Sequence, residues 1–200
     1  MRAFGFAFVS VAVAAIGFAA TAFFTPKVHL IVDRQGDDIE LFLNAQAPDL
    51  QPVFSLDPAE FKGVEGAVNF ASFRETGTWL MADEVLNSVS ARTNESNVLF
   101  EGTSLMLHQA SVPVSFSTPV DGVMSVSVCA VPITEPVSDL TDYETYAGFY
   151  ARNVEIAEDI ELAFPKTGRL PRLVTVRQFV DGEPQGWNIR LLMDGGTLTI

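Results

Sequence analysis

Residues 28–44 read VHLIVDRQGDDIELFLN, two runs of strand-forming residues that flank a polar segment containing a glycine. The runs Val28–Val32 and Ile39–Asn44 are short and mostly apolar, with the β-branched and aromatic residues that favour strands. Asp33–Asp38 between them supplies turn residues. This pattern predicts a β-hairpin at the beginning of the folded domain.

Similar short runs continue through the C-terminal half of the chain. Each is bounded by turn residues, and several alternate apolar with polar side chains, as half-buried strands do. The predicted strands cover residues 98–101, 104–109, 112–116, 124–130, 154–156, 160–164, 173–180, 187–192 and 197–200. Short strands at this spacing are typical of an antiparallel β-sandwich, so the predicted fold class is mainly β.

The segment between the hairpin and these strands has a different pattern. Asp57-Pro58-Ala59-Glu60 combines a capping residue, a proline at the first helical position and an acid at the capping-box position. Residues 78–89 then repeat apolar side chains at helical spacing. We therefore expect a small helical insertion at about residues 57–91 of the sandwich.

Ahead of the hairpin, residues 3–24 form an uncharged hydrophobic run, AFGFAFVSVAVAAIGFAATAFF. Its length suffices for one N-terminal membrane-spanning helix, which needs about 20 apolar residues. Arg2 and the small residues Ala20-Thr21-Ala22 also fit a cleaved secretory signal peptide. Phe23 and Phe24 favour a retained anchor, because aromatic side chains are common at the membrane edge.

Both interpretations divide the chain into residues 1–24, the anchor or signal, and residues 25–200, one extracytoplasmic domain. A retained anchor places the protein in the inner (plasma) membrane as a single-pass protein. Residues 3–24 then contact the lipid bilayer, and the body lies on the periplasmic or extracellular side. A cleaved signal makes the protein periplasmic or secreted.

The chain has 12 basic and 25 acidic residues and a formal net charge of −13, so we expect no binding to nucleic acid.

Catalytic and metal-binding motifs are missing from the sequence. It contains no G-x-S-x-G, no H-E-x-x-H and no glycine-rich phosphate loop. Met106 and His108 would share one face of a strand, but no histidine follows Cys129 to complete a copper site. The acidic hairpin turn lacks the ligand spacing of a calcium loop. We therefore predict a non-enzymatic protein with no metal, cofactor or catalytic residues.

Cys129 is the only cysteine, so no disulfide can form within one chain. It lies in residues 123–131, VMSVSVCAV, where apolar and small polar side chains alternate. Apolar surroundings disfavour a thiolate, and a lone cysteine in such a strand is usually a packed, unreactive side chain. We expect a buried structural thiol.

The three tyrosines of the chain, Tyr143, Tyr146 and Tyr150, lie close together, with Phe149 beside them. Their offsets of three and four would place them on one face of a helix. Tyrosine is enriched in the cores of protein interfaces, and nearby acids could steer a basic partner. The segment is therefore a candidate partner-binding ridge. The alternative is that the same rings pack on the sandwich.

Together these features predict a membrane-anchored extracytoplasmic accessory or assembly protein that docks on a membrane protein partner. The alternative is a soluble periplasmic ligand- or metal-binding module released by signal-peptide cleavage. Whether the N-terminal segment is retained distinguishes the two, because only a retained anchor keeps the domain at the membrane surface.

Overall fold

The computed structural model describes residues 28–46, 90–93, 96–112, 114–127, 142–154, 159–166 and 171–200. Within these ranges the chain forms ten strands and one helix. The strands are β1 (Val28–Gln35), β2 (Asp38–Gln46), β3 (Ser90–Arg92), β4 (Asn97–Val98), β5 (Glu101–Gln109), β6 (Tyr143–Ala151), β7 (Glu161–Ala163), β8 (Arg172–Val180), β9 (Glu183–Leu192) and β10 (Thr197–Thr199). The helix α1 (Pro119–Ser127) lies between β5 and β6.

The described strands form two sheets, so the mainly β, sandwich-like fold predicted from the sequence is confirmed. The larger sheet has the order β5-β6-β2-β1-β8-β9, and the smaller has the order β10-β7-β3-β4. One pair, β1 with β8, is parallel, whereas the prediction was purely antiparallel. Because β2 occupies one edge of β1, β8 pairs with the other edge and joins the C-terminal hairpin to the N-terminal one.

Two tight turns set the register of the hairpins. In β1–β2, Gln35 pairs with Asp38 around a turn whose first residue, Gly36, has a φ of 57°, as type II′ turns require. In β8–β9, Asp181 and Gly182 both have positive φ, 50° and 79°, as in type I′ turns. The hairpin predicted from residues 28–44 is therefore confirmed, with longer strands than expected.

One face of the larger sheet packs on the smaller sheet and forms the main core. Leu30, Leu43 and Val176 from the larger sheet belong to the same buried cluster as Leu162 and Leu198 from the smaller one. Burial of each such side chain stabilises the fold by about 1.5–3 kcal/mol relative to exposure. This face therefore supplies the apolar contact that holds the two sheets together.

The opposite face of the larger sheet is covered in part by α1. Ile31, Phe42 and Tyr146 form a second buried cluster that includes Val126 of the helix. Gly122 allows this approach, because a Cβ atom at that position would lie 2.5 Å from the Phe42 ring. Residues of β1 and β2 are thus buried on both faces of the sheet, which explains their nearly continuous apolar sequence.

Three sequence predictions of local structure are wrong. No strand forms at 112 and 114–116, the described positions of the strand predicted at residues 112–116. Where the sequence predicts a strand at residues 124–130, residues 119–127 form α1, and residues 128–130 lie outside the described residues. Residues 143–150 were expected to form a helix, but they lie in β6. Both faces of β6 are largely buried, so aromatic residues occur on both, and their offsets of three and four imitate helical spacing.

Several sequence predictions lie outside the described residues. They concern the N-terminal segment, most of the helical insertion at residues 57–91, and Cys129. Ser90 and Ala91, at the end of the expected insertion, begin β3. Within the part of the chain that the structure describes, no helix combines the length and apolar character needed to cross a membrane.

Candidate functional site

A cavity of about 640 Å³ opens on the helix-covered face of the larger sheet. Three segments meet there: the turn end of the β1–β2 hairpin, the β8–β9 turn and the N-terminal half of α1. We call this cavity the acidic pocket. Its lining residues are Asp33, Gln35, Glu40, Thr118, Pro119, Val120, Val123, Met124, Asp181 and Gly182.

Asp33 anchors the sheet side of the acidic pocket. Its side chain is fully buried, and the Gly182 amide donates a hydrogen bond of 3.1 Å to its Oδ1 atom. Gln35 donates a second bond of 2.8 Å from Nε2 to Oδ2. These contacts satisfy the buried carboxylate, as burial of a charge requires. Asp33 therefore ties the β8–β9 turn to the first hairpin.

Glu40 lies opposite Asp33 across the β1–β2 ladder. Burial raises the pKa of its carboxyl group, and the negative charges of Asp33 and Asp38 raise that pKa further. No basic residue is among the described residues that line the cavity. The sheet side of the pocket therefore concentrates negative charge, which favours a cationic group.

The helix side of the acidic pocket is apolar. Val120, Val123 and Met124 line it, and all three are exposed, Val120 to 71% of its full area. A ligand that fits both sides has an alkyl portion that ends in a positive charge. A lysine or arginine side chain and a small organic amine both have this form, because their apolar stems pack while the charged end stays at acceptors.

The N-terminus of α1 is held by side-chain caps beside the acidic pocket. The Thr118 amide donates 2.9 Å to Asp121 Oδ2, and the Asp121 amide donates 3.2 Å to Thr118 Oγ1, which is a reciprocal capping box. Ser117 donates to the same carboxylate oxygen from its amide and its hydroxyl. These bonds fix the first turn of α1, and with it the apolar wall of the pocket.

The histidine considered for a metal site has a structural role in the fold. His108 is buried, and its Nε2 atom lies 2.7 Å from the Ser125 carbonyl oxygen of α1. Because a carbonyl only accepts, Nε2 is the donor. The ring also meets Tyr146 edge-on, with 4.9 Å between centroids. Within the described residues, no group of three or more histidine, cysteine, aspartate or glutamate side chains is placed to hold a metal ion.

The four residues of the candidate ridge do not share one surface. Tyr143 and Phe149 are buried in the main core, and Tyr146 is buried in the cluster beneath α1. Burial raises the pKa of the Tyr143 hydroxyl to about 12, with a smaller contribution from Asp142. Tyr150 is half-buried, and its hydroxyl donates 2.7 Å to Asp38 Oδ2. The first three side chains therefore offer no surface for a partner in this fold, and Tyr150 alone of the four lies beside an acid of the first hairpin.

Sequence reasoning missed the acidic pocket, although part of its signal is local. Asp33 and Glu40 are charges inside otherwise apolar runs, a pattern that marks a polar site on a buried sheet. Thr118-Pro119-Val120-Asp121 has capping-box spacing with proline at the first helical position, which indicates α1. No pattern of neighbouring residues indicates that these segments lie beside the β8–β9 turn in the folded domain.

No protein-family model matches the chain, and no curated protein sequence matches it. Functional inference therefore starts from the acidic pocket, from the exposed surfaces of the domain and from the sequence of the N-terminal segment.

Proposed function

We propose that this chain is a non-enzymatic, membrane-anchored extracytoplasmic accessory or assembly protein that docks on a membrane protein partner. In this proposal the acidic pocket receives a lysine or arginine side chain of that partner. The observation that carries the proposal is the pairing, in one cavity, of carboxylates on the sheet side with exposed apolar residues on α1.

The charge of the whole chain supports a basic partner. A formal net charge of −13 steers positively charged surfaces toward the domain and repels anionic ones. Asp33 is already held by Gly182 and Gln35, so it supplies fixed negative potential and needs no rearrangement on binding. Glu40 and Asp181 add acceptors at the cavity. A docked cation would relieve the repulsion between these acids.

The hydrophobic run at residues 3–24 supports the membrane location. An anchor that ends only a few residues before β1 would hold the domain at the bilayer surface, where the extracytoplasmic loops of membrane proteins lie. Attachment to the same membrane also raises the effective concentration of the two proteins for each other. A partner segment of modest intrinsic affinity would therefore suffice.

The proposal is tested by photo-crosslinking in native membranes. A photoreactive amino acid replaces Val120 at the rim of the acidic pocket, and in a matched control it replaces Leu99, an exposed apolar residue between β4 and β5. We expect a crosslink to a membrane protein from position 120 and none from position 99. Mass spectrometry of the crosslinked peptide should place a lysine or arginine beside the attachment point.

A second step of the experiment neutralises the pocket with Glu40→Gln and Asp181→Asn. Asparagine tolerates the positive φ that Asp181 adopts, so the turn is preserved. We expect the crosslink from position 120 to be lost, and to persist when the exposed Asp159 is changed to asparagine instead. A crosslink that survives neutralisation of the pocket, or an equal yield from position 99, would contradict the proposal.

The size of the cavity favours one second candidate, a soluble periplasmic binding module released by signal-peptide cleavage. About 640 Å³ is within the range of roughly 300–1,000 Å³ that is typical of small-molecule sites. The ligand would be a small organic amine. Calorimetric titration of simple alkylamines into the wild-type protein and into Glu40→Gln separates this candidate from partner docking. Only the small-ligand candidate predicts tight binding of a free amine that Glu40→Gln weakens, because a docking site for one side chain obtains most of its affinity from the rest of the partner.

A further inference from the structure

We propose that β9 pairs with β9 of a second copy of this chain, so that two six-stranded sheets join into one continuous sheet across a twofold axis. This inference concerns a different surface from the acidic pocket and does not depend on the proposed function. β9 is an exposed edge strand, one of its faces is apolar, and its order of residues is self-complementary.

β9 is the terminal strand of the larger sheet. It pairs with β8 on one side, and in the order of the described strands no neighbour follows it on the other. Nearly every residue from Glu183 to Leu191 is exposed. A strand of this length extends about 33 Å, and no other described strand pairs with the amide and carbonyl groups of its outer edge. Such an edge is a template for another strand.

One face of β9 carries three large apolar side chains in alternation. Trp187, Ile189 and Leu191 are exposed to 69%, 47% and 57% of their full areas. Their spacing of two residues puts them on the same side of the strand. Stable monomers usually protect long edges with several charges, with proline or with a bulge. On β9 these features lie only at the turn end, where Glu183 and Pro184 precede a bulge at Gln185. From Gly186 to Met193 the only charged residue of this edge is Arg190.

The order of residues in β9 favours a second β9 as the occupant. In an antiparallel pair centred on Ile189, that residue lies opposite its own copy, and Trp187 lies opposite Leu191 of the second copy. The apolar face then continues without interruption across the junction. On the other face Arg190 lies opposite Asn188, which already accepts a bond of 3.1 Å from the arginine Nε atom within one chain. Directly opposed side chains of these types stabilise antiparallel pairs.

Neighbouring registers are less favourable. Centring the pair on Arg190 would place two guanidinium groups opposite each other, and like charges in that position are destabilising. Centring it on Asn188 would place Leu191 opposite Gln185 and break the apolar face. The sequence of β9 therefore selects one arrangement, and a twofold axis closes it as a dimer without further propagation.

The net charge of the chain gives this interface a distinctive salt dependence. Two copies that each carry a formal net charge of −13 repel each other at low ionic strength. Added salt screens that repulsion and leaves the apolar contact and the main-chain hydrogen bonds intact. We expect the dimer to strengthen as salt is added, whereas a contact between the acidic pocket and a basic group weakens.

The test measures the oligomeric state of the full chain in a mild detergent by sedimentation over a range of protein concentrations. Ile189→Lys should weaken the dimer by about tenfold or more, because two like charges would then face each other and apolar contact would be lost. Leu99→Lys, at a residue that is 84% exposed outside β9, is the matched control and should leave the dimer unchanged. Circular dichroism and the thermal midpoint show whether both variants fold.

A second measurement tests the register. In a Cys129→Ser background, Ile189→Cys should form a disulfide-linked dimer under mild oxidation, because directly opposed positions lie within the Cα separation that a disulfide spans. Gln185→Cys, which would lie opposite Met193, should remain unlinked. A monomer at all concentrations, a dimer that Ile189→Lys does not weaken, or equal linkage at position 185 would each overturn the proposal. A purified chain that is monomeric would point instead to a strand from another protein.

Discussion

Glu40 lies in β2 between the core residues Ile39 and Leu41, and its own carboxyl group lines the acidic pocket. Partial burial and the charges of Asp33 and Asp38 all oppose its ionisation. When ionised, its carboxylate contributes to the negative potential of the pocket. An ionised carboxylate that destabilises the folded domain but attracts a cationic ligand is typical of a functional site.

We expect Glu40→Gln to stabilise the domain at neutral pH. The pKa of Glu40 is raised from 4.5 in the folded state, so the unfolded chain loses its proton first as pH rises. The contribution of Glu40 to the free energy of unfolding is therefore fully present below pH 4.5 and is lost as pH rises through the pKa of the folded state. Glutamine avoids that fall, so the thermal midpoint should exceed that of the wild type at pH 7 and approach it at pH 4.

Thermal unfolding at both pH values measures the effect, with the exposed Asp159→Asn as the control. A lower midpoint for Glu40→Gln at pH 7 would show that the carboxylate stabilises the fold, which contradicts the assignment of Glu40 to binding. The same variant should lose the crosslink from position 120.

Gly122 is the second residue whose role follows from its contacts. We expect Gly122→Ala to destabilise the domain by about 1–3 kcal/mol, although alanine is favoured over glycine in helices by about 1 kcal/mol. The added methyl group would lie 2.5 Å from the Phe42 ring and would push α1 away from the sheet. Urea unfolding measures the change, and Ser127→Ala, at the exposed end of α1, is the control. If Gly122→Ala is more stable than the wild type, α1 can shift away from the sheet without loss of packing energy, and the prediction is wrong.

At the scale of single elements, α1 depends both on its local cap and on its packing against the sheet. Its buried residues, Pro119, Gly122, Ser125 and Val126, form one helical face toward the sheet. A helix of this length is marginal in water on its own, so the cap and the packing together maintain it. Burial would raise the pKa of Asp121, but hydrogen bonds from Ser117 and Thr118 outweigh that effect and lower it from 3.8 to about 2.

We expect Asp121→Ala to reduce the free energy of unfolding by about 0.5–2 kcal/mol at pH 7, the usual cost of a lost helix cap. Because the pKa is lowered in the folded state, the contribution of Asp121 is present above pH 3.8 and disappears as pH falls through about 2. Most of the difference between variant and wild type should therefore be lost by pH 2. Urea unfolding at pH 7, 4 and 2 measures this difference in the free energy of unfolding.

The control for the cap is Asp159→Ala, which removes an exposed acid from the region before β7. It should change stability little at any pH. An equal loss in Asp121→Ala at pH 7 and pH 2 would mean that the side chain acts by packing and not by its charge. Since α1 forms one wall of the acidic pocket, the Asp121 variant should also give a weaker crosslink from position 120.

At the scale of the whole molecule, the described domain has two distinct surfaces with different chemistry. The acidic pocket lies beside α1 and depends on charge, whereas the edge of β9 is apolar and nearly neutral. Salt should therefore change the two contacts in opposite directions. Binding to a partner and pairing of two copies can be measured separately for this reason.

We expect the hydrophobic segment at residues 3–24 to be retained in the native protein. Its length and the terminal Phe23 and Phe24 favour an anchor that spans the bilayer over a cleaved signal. Intact-mass measurement of protein isolated from membranes decides this, with a recombinant protein of residues 25–200 as the mass standard. A native species that begins at Phe23 would support the secreted binding module instead.

Much of the fold could be predicted because its signals are local. The first hairpin and the strands at residues 173–180 and 187–192 are marked by turn residues and by apolar runs within a few positions of each other. β6 and α1 were mistaken because periodicity alone cannot distinguish a strand buried on both faces from a helix. Their secondary structure follows from what covers each face, and that is a property of the assembled domain.

The sequence by itself determined the mainly β class, the hairpin turns, the acidic charge and the hydrophobic N-terminal segment, because each depends on composition or on neighbouring residues. Only the tertiary structure decided that Asp33, Val120 and Asp181 line one cavity. The parallel pairing of β1 with β8 and the packing of α1 bring these distant segments together. The same pairing leaves β9 at the edge of the sheet, where Trp187, Ile189 and Leu191 stay exposed because no further described strand covers them.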